Sequence, residues 1–107
     1  MTRLVAMTPD LGDRSRIAAV VPDATFVGAA ALLPRAAEGA EVVLVDLSRA
    51  GVLDVLDEVV ALGGRVVGYG PHVEGELLAA ATAAGVEAVP RSRFFRDLVP
   101  FIDPKQA

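Results

Sequence analysis

Asp46 is the residue in this sequence best placed to do chemistry. It follows the apolar run at 42–45, and a carboxylate that ends such a run is partly buried, so it needs hydrogen bonds or a nearby cation. A carboxylate held in this way could accept a phosphoryl group or orient a ligand. The alternative is structural: Asp46 caps the loop that follows it or pairs with Arg91.

Other polar residues follow the remaining apolar runs, and a parallel sheet would bring them to the same edge as Asp46. Asp10 and Asp13 flank the start of a helix, where an N-cap and a first-turn charge explain both. His72 lies in the loop after the fourth run, either as a surface or capping histidine or as a gate over Asp46. We predict a pocket at this edge that is lined by Thr8, Asp10, Ser48, Gly70, His72, Arg91 and Ser92.

The segment 91–96 concentrates positive charge and aromatic rings in one place. We predict that part of its charge faces Asp46 and that the rest forms a surface for a protein partner, because arginine and aromatic residues are enriched at interface cores. The alternative is a solvated helix face with Phe95 in the core. The predicted interaction surface comprises Arg91, Arg93, Phe94 and Arg96.

The composition excludes several classes of site. The chain has 107 residues, no cysteine and one histidine, so a disulfide framework, a thiolate metal centre and a multi-histidine metal site are excluded within one chain. A net charge of −4 disfavours nucleic-acid binding, which needs a basic surface. No stretch approaches the roughly 20 apolar residues that cross a bilayer, and we expect a cytoplasmic protein with no membrane partner.

Five Val-rich runs alternate with five segments of helical periodicity, and this alternation must position the polar residues. Three of the runs, at 4–7, 42–45 and 65–69, are continuously apolar or nearly so, which indicates strands covered on both faces. The pattern predicts an α/β fold: a single (βα)5 domain over 1–107, doubly wound and flavodoxin-like, with strand order 2-1-3-4-5 and a short tail at 103–107. The strands are expected at 4–7, 24–27, 42–45, 65–69 and 87–89, and the helices at 13–20, 32–38, 52–62, 74–84 and 92–101.

The helical spacing also predicts which side chains enter the core. Leu53 and Leu56 are expected to face inward from the third helix, and Val20 from the first. The last helix is expected to begin at an N-cap Ser92 and to dock on the sheet through Phe95, Leu98 and either Phe101 or Ile102.

The order of these elements and the positions of the loops resemble a receiver domain of two-component signalling over residues 3–102. The segment 42–48 resembles the third receiver strand, which ends in the phosphoacceptor aspartate, here Asp46. The segment 85–89 resembles the G-A-D-D-Y run before the last receiver strand, and Phe94 resembles the Phe of the receiver K-P-F element.

The sequence departs from the receiver pattern at the positions that perform phosphorylation. The two adjacent acids that hold Mg²⁺ are replaced by Thr8 and Pro9, with only Asp10 nearby. Gly70 stands where a receiver has Thr or Ser, and Ser92 where it has the Lys that contacts the acyl phosphate. Phosphoryl transfer depends on metal and cation stabilisation of the developing charge, so the usual Mg²⁺-dependent reaction is expected to be severely slowed.

The resemblance implies a non-catalytic signalling domain with a degenerate receiver fold, which acts on protein partners, with a homodimer as one form of that contact. One alternative is an atypical receiver in which Asp46 accepts a phosphoryl group, with Arg91 or Arg93 as the cation and with Asp10 and Asp46 as ligands of an atypical Mg²⁺ site. Another is a small-ligand site or an enzyme at the same edge, where Asp46, His72 and Arg91 would converge. No dinucleotide or P-loop glycine motif follows the first run, no complete catalytic set is present, and no cofactor is expected.

Overall fold

A five-stranded parallel sheet forms the centre of the molecule. The computed structural model describes residues 3–103. Its strands run in the order β2-β1-β3-β4-β5, and each neighbouring pair is parallel. This confirms the predicted doubly wound α/β fold and its strand order. The strands are β1 Leu4–Met7, β2 Thr25–Val27, β3 Val42–Asp46, β4 Arg65–Gly70 and β5 Glu87–Pro90.

Helices follow each strand and cover both faces of the sheet. Because both faces are covered, every residue of β1 and of β3 is buried, which explains why these runs are continuously apolar. A 3₁₀ turn at Ala30–Leu32 precedes the second helix. The helices are α1 Leu11–Val20, α2 Leu33–Ala36, α3 Val52–Ala61, α4 Gly75–Ala83, α5 Arg91–Arg96 and α6 Val99–Ile102. No helix within residues 3–103 is long and apolar enough to cross a membrane.

Alternate residues of the strands divide the core between two helical layers. On one face, Val43 and its neighbours pack against α2, α3 and α4, with Leu33 and Leu56 completely buried. On the other face, Leu44 and its neighbours pack against α1, α5 and α6. The second cluster contains Ile17, Tyr69, Phe94 and Leu98, and its aromatic rings fill the space under α5.

The last helical segment is split in two, so the prediction of a single helix at 92–101 is wrong. Inside a continuous helix the ring of Pro100 would clash with the carbonyl group of Arg96, and Pro100 has no N–H to donate. The backbone of Asp97 is therefore extended, with φ −152° and ψ 101°. The Asp97 carboxylate accepts a hydrogen bond from the Val99 N–H at 3.2 Å, which helps α6 to begin.

Phe94 docks α5 on the sheet together with Phe95, and Phe94 is the more deeply buried of the two. The ring of Phe95 meets that of Tyr69 edge to face, with 5.0 Å between centroids. The helix begins at Arg91 with Pro90 as its N-cap, so the predicted N-cap role of Ser92 is wrong. This start directs Phe94 inward, where it is completely buried and its ring stacks on that of Tyr69 with 4.7 Å between centroids. The assignment of Phe94 to an interaction surface is therefore also wrong.

Two further core predictions fail at helix ends. Leu53 is 45% exposed, because α3 begins at Val52 and buries the i, i+4, i+7 stripe of Val52, Leu56 and Val59. Val20, in the last turn of α1, is 40% exposed. The tail predicted at 103–107 lies, beyond Asp103, outside the described residues.

Candidate functional site

Three buried polar side chains form one row at the carboxyl edge of the sheet. Asp46 of β3 pairs in register with Tyr69 of β4, and Thr8 directly follows Met7, which pairs with Val45. The row Thr8–Asp46–Tyr69 therefore crosses three strands on the face that α1 and α5 cover. All three residues are at most 3% exposed, so their polar atoms depend on partners within the protein.

Both carboxylate oxygens of Asp46 accept hydrogen bonds from the loop that follows β3. Oδ1 accepts from the backbone N–H of Ser48 at 3.1 Å and from its hydroxyl at 2.7 Å. Oδ2 accepts from Nε of Arg49 at 2.9 Å, which forms an ion pair. The carboxylate raises the pKa of the Arg49 guanidinium, mainly through this hydrogen bond. Asp46 therefore closes an Asx turn with Ser48 and is neutralised by Arg49 from the same loop.

Arg49 replaces Arg91 as the ion-pair partner of Asp46, so the alternative in which Asp46 pairs with Arg91 is wrong, although the charge of Asp46 still acts on Arg91. β4 lies between β3 and β5 in the sheet and places Tyr69 between the two groups. Arg49 is only three residues from Asp46 and reaches it within one turn. The structural alternative, in which Asp46 fixes the loop after it, is confirmed for Ser48 and Arg49.

Arg91 instead binds Asp13 of α1, which is only 2% exposed. Its Nη1 donates to Asp13 Oδ2 at 2.7 Å and its Nη2 donates to Oδ1, so the contact is bidentate. The Tyr69 hydroxyl donates to the same Oδ2 at 3.1 Å. Arg91 also stacks over the ring of Phe95, 4.8 Å from its centroid. This cluster connects α1, β4 and α5 through one buried charge.

The pKa values of two groups in this cluster, Tyr69 and Arg91, are raised. Desolvation is the main cause that raises the pKa of Tyr69 well above its ordinary value, so its hydroxyl stays protonated and donates to Asp13. The hydrogen bonds that Arg91 donates to the Asp13 carboxylate are the main cause that raises the pKa of Arg91. Asp13 lies in the first turn of α1, as predicted, but its side chain is buried and points into the core.

Asp10 and Thr8 accept hydrogen bonds from the first turn of α1. Asp10 is the N-cap, and its Oδ1 accepts from the Asp13 N–H at 2.9 Å; this hydrogen bond is the main cause that lowers the pKa of Asp10. The Thr8 carbonyl accepts from Nε of Arg14 at 2.7 Å. Within residues 3–103, the Thr8 hydroxyl is the one buried side-chain polar atom that lacks a hydrogen-bond partner. The predicted N-cap role of Asp10 is confirmed.

The atypical Mg²⁺ site finds no support in these contacts. In the part of the chain that the structure describes, no group of three or more His, Cys, Asp or Glu side chains could hold a metal ion. Asp10 caps α1, and Asp46 is bound by Ser48 and Arg49. A metal would have to displace both carboxylates from these hydrogen bonds.

The other predicted pocket residues do not converge on Asp46. Gly70 faces the opposite layer, because a Cβ there would lie 3.4 Å from Leu77 of α4. His72 is in an exposed turn after β4, and Ser92 is exposed in the first turn of α5. Ser48 alone among the predicted lining residues bonds to Asp46. The predicted convergence of Asp46, His72 and Arg91 is therefore wrong.

Arg93 and Arg96 lie away from this edge. Both line a groove of about 430 Å³ with Arg65 and Glu87, which begin β4 and β5 at the opposite end of the sheet. Arg93 therefore cannot supply the cation for Asp46. Both side chains remain exposed, as the predicted interaction surface requires.

The sequence contained signals for the residues that the prediction missed. Asp13 lies four residues before the buried Ile17, so both occupy the same inward face of α1. Asp46 and Arg49 are three residues apart in a turn, close enough for an ion pair. Tyr69 is the polar aromatic residue in a buried strand, and its hydroxyl needs an acceptor.

Comparisons of the chain with protein-family models, with curated proteins and with solved structures find no match. The resemblance to receiver domains therefore stays a prediction. Functional assignment depends on the side chains at this edge and on the surfaces of the two helical layers.

Proposed function

We propose that the chain is a non-catalytic cytoplasmic signalling domain that acts by protein contact and keeps a receiver-like architecture without the phosphorylation switch. The observation that carries this proposal is that both carboxylate oxygens of Asp46 already accept hydrogen bonds. Both of its oxygens are bound by Ser48 and Arg49, so no free carboxylate oxygen faces a phosphoryl donor. The buried carboxylate has hydrogen-bond partners on both oxygens, as expected for a structural group.

The groups that would assist phosphoryl transfer are engaged elsewhere. Arg91 binds Asp13, and Asp10 caps α1. Thr8 and Pro9 occupy the positions of the two metal-binding acids. Catalysis of this transfer depends on a metal and a cation aligned with the moving charge, and Asp10 and Arg91 are engaged in other contacts.

A two-dimensional amide NMR spectrum with Mg²⁺ and beryllofluoride tests the proposal. We expect the wild-type spectrum to remain unchanged under conditions in which an active receiver domain, titrated in parallel, responds fully. Asp46→Asn serves as the site control. Shifts centred on Asp46, Ser48 and Tyr69 that vanish in Asp46→Asn would refute the proposal.

One observation favours the atypical phosphoacceptor as a second candidate. Arg49 is 43% exposed, so its ion pair with Asp46 borders solvent and could open toward a phosphoryl donor. Arg49, in place of Arg91 or Arg93, would then stabilise the bound group as a planar cation. Incubation with acetyl phosphate followed by mass spectrometry separates the candidates: one added phosphoryl group, lost in Asp46→Asn, would support the second.

A further inference from the structure

The two helical layers carry opposite charge. The layer of α1, α5 and α6, with the connection at 97–98, has five arginines and two aspartates, a net charge of +3. On the opposite side of the sheet, α2, α3 and α4 have four carboxylates and one arginine, a net charge of −3. The whole chain is acidic, with a net charge of −4, so the basic layer is a local exception. We define the basic face as the exposed Arg16, Arg93 and Arg96, and the acidic face as the exposed Asp54, Asp57 and Glu58.

The basic face combines charge with apolar surface. The Arg16 guanidinium stacks over the ring of Phe95, 5.4 Å from its centroid. Val99, three residues after Arg96, is 62% exposed. Arginine and aromatic residues are enriched at the centres of protein interfaces.

The acidic face borders a groove that fits such a surface. A depression of about 590 Å³ lies between α2 and α3, with apolar lining from Pro34, Val55 and Leu62. Glu58 and Glu38 supply carboxylates at this groove, and Arg35 lies among them. Leu62 is 44% exposed. The exposed Val99 matches the apolar lining of this groove, and the arginines of the basic face match its carboxylates.

We propose that the basic face of one copy docks on the acidic face of a second copy. The inference rests on the proposed function, since it names the protein partner for a domain that acts by contact. The two faces lie on opposite sides of the sheet, so one copy can use both at once, and the contact is heterologous, head to tail. A symmetric dimer through α5 would instead place Arg93 and Arg96 against their own counterparts.

Sedimentation velocity of the full chain at two ionic strengths tests this contact. At about 0.01 M salt, where the Debye length is about 30 Å, we expect the weight-average mass to rise with protein concentration. At about 1 M salt, where charges are screened beyond about 3 Å, we expect a monomer. A monomer at every concentration in low salt would overturn the proposal.

Charge reversal on each face identifies the surfaces. Asp57→Arg removes the acidic face and Arg96→Glu the basic face, and each variant alone should be monomeric. Their equimolar mixture should form a dimer and nothing larger. Asp57→Arg keeps an intact basic face, Arg96→Glu keeps an intact acidic face, and only these two faces can pair. Arg16→Glu replaces Arg96→Glu if the latter fails to give a folded amide spectrum. A mixture that stays monomeric would overturn the proposal.

The matched control is Asp23→Arg, which makes the same change in net charge at an exposed residue between α1 and β2. It should associate like the wild type; loss of association there would show an effect of net charge alone and overturn the proposal. Binding of poly-glutamate by a chain that stays monomeric would also overturn it, in favour of an acidic partner protein. The amide shifts with beryllofluoride test whether Asp46 binds a phosphoryl mimic, whereas the sedimentation mass tests the contact between the two faces. Either proposal can therefore fail without the other.

Discussion

The buried charge of Asp13 is the residue-scale feature that most affects stability. It is held by Arg91 and by the Tyr69 hydroxyl, and its loss would separate three elements at once. Asp46 has local partners only, so its charge fixes one loop. The two buried carboxylates therefore act over different distances, although they lie at the same edge.

Replacement of Arg91 should be far more damaging than replacement of Arg93 on the same helix. Arg91→Ala leaves the Asp13 carboxylate buried with Tyr69 as its main donor, and we expect unfolding free energy to fall by about 2 kcal/mol. This lies below the cost at a fully buried ion pair because Arg91 is 43% exposed. Arg93→Ala should change it by less than about 0.5 kcal/mol. Urea denaturation measures both, and equal effects would contradict the assignment.

The N-cap of α1 should give the protein an acid-sensitive component of stability. The pKa of Asp10 is lowered from 3.8 by the Asp13 N–H, so its charge stabilises the folded state above that ordinary value. This contribution is lost as the pH falls through the lowered pKa. Asp10→Asn keeps the capping acceptor without the charge.

We therefore expect the wild type to lose more stability than Asp10→Asn between about pH 5 and pH 3. Denaturant midpoints measured across this range check the difference. Parallel curves for the two proteins would show that the cap charge contributes nothing.

At the element scale, close packing between β4 and the loop after β3 explains a glycine inside a strand. A Cβ at Gly68 would lie 2.7 Å from Cδ2 of Leu47, too close for real atoms. Gly75 begins α4, and a Cβ there would meet nothing within 4 Å. The first glycine is required by packing and the second is not.

Alanine at these two positions should change stability in opposite directions. Gly68→Ala overpacks the layer and should cost about 1–3 kcal/mol. Gly75→Ala should stabilise by about 0.5 kcal/mol, since it reduces the freedom of the unfolded chain. Thermal unfolding followed by circular dichroism compares the pair. A destabilised Gly75→Ala would contradict the open surroundings of that residue.

The strands were predictable from the sequence because their burial on both faces leaves a continuous apolar run, as at 42–45. The helix ends were less predictable, because a single capping residue or proline determines where a helix begins or ends. Pro100 divides α5 from α6, and the start of α5 at Arg91 buries Phe94 more deeply than Phe95.

The sequence alone does not choose between two candidate partners of Asp46. Arg49 and Arg91 were both near Asp46 by topology, and only the packing of Tyr69 separates them.

For the whole molecule, the single sheet joins two core clusters that share the same strands. Residues of β1 alternate between them, with Val5 in one and Ala6 in the other. Neither layer can lose its core without exposing the sheet to which the other layer is docked. Small domains built in this way usually unfold in one cooperative step.

Tyr69 provides a test of this cooperativity, because it is the only tyrosine and the chain has no tryptophan. It is buried in the layer of α1 and α5, so its fluorescence reports that layer. Far-UV circular dichroism reports the helices of both layers. We expect the two signals to give the same midpoint in urea. Separate midpoints would show that the layers unfold independently.

Both described ends of the chain lie at the amino edge of the sheet. Arg3 precedes β1, and the Asp103 carbonyl accepts from Arg65, the first residue of β4, at 2.8 Å. β1 and β4 are two strand spacings apart, about 10 Å. A fluorescent protein or surface tether joined directly before Arg3 or after Asp103 would therefore begin at the amino edge, away from the row Thr8–Asp46–Tyr69 at the far edge.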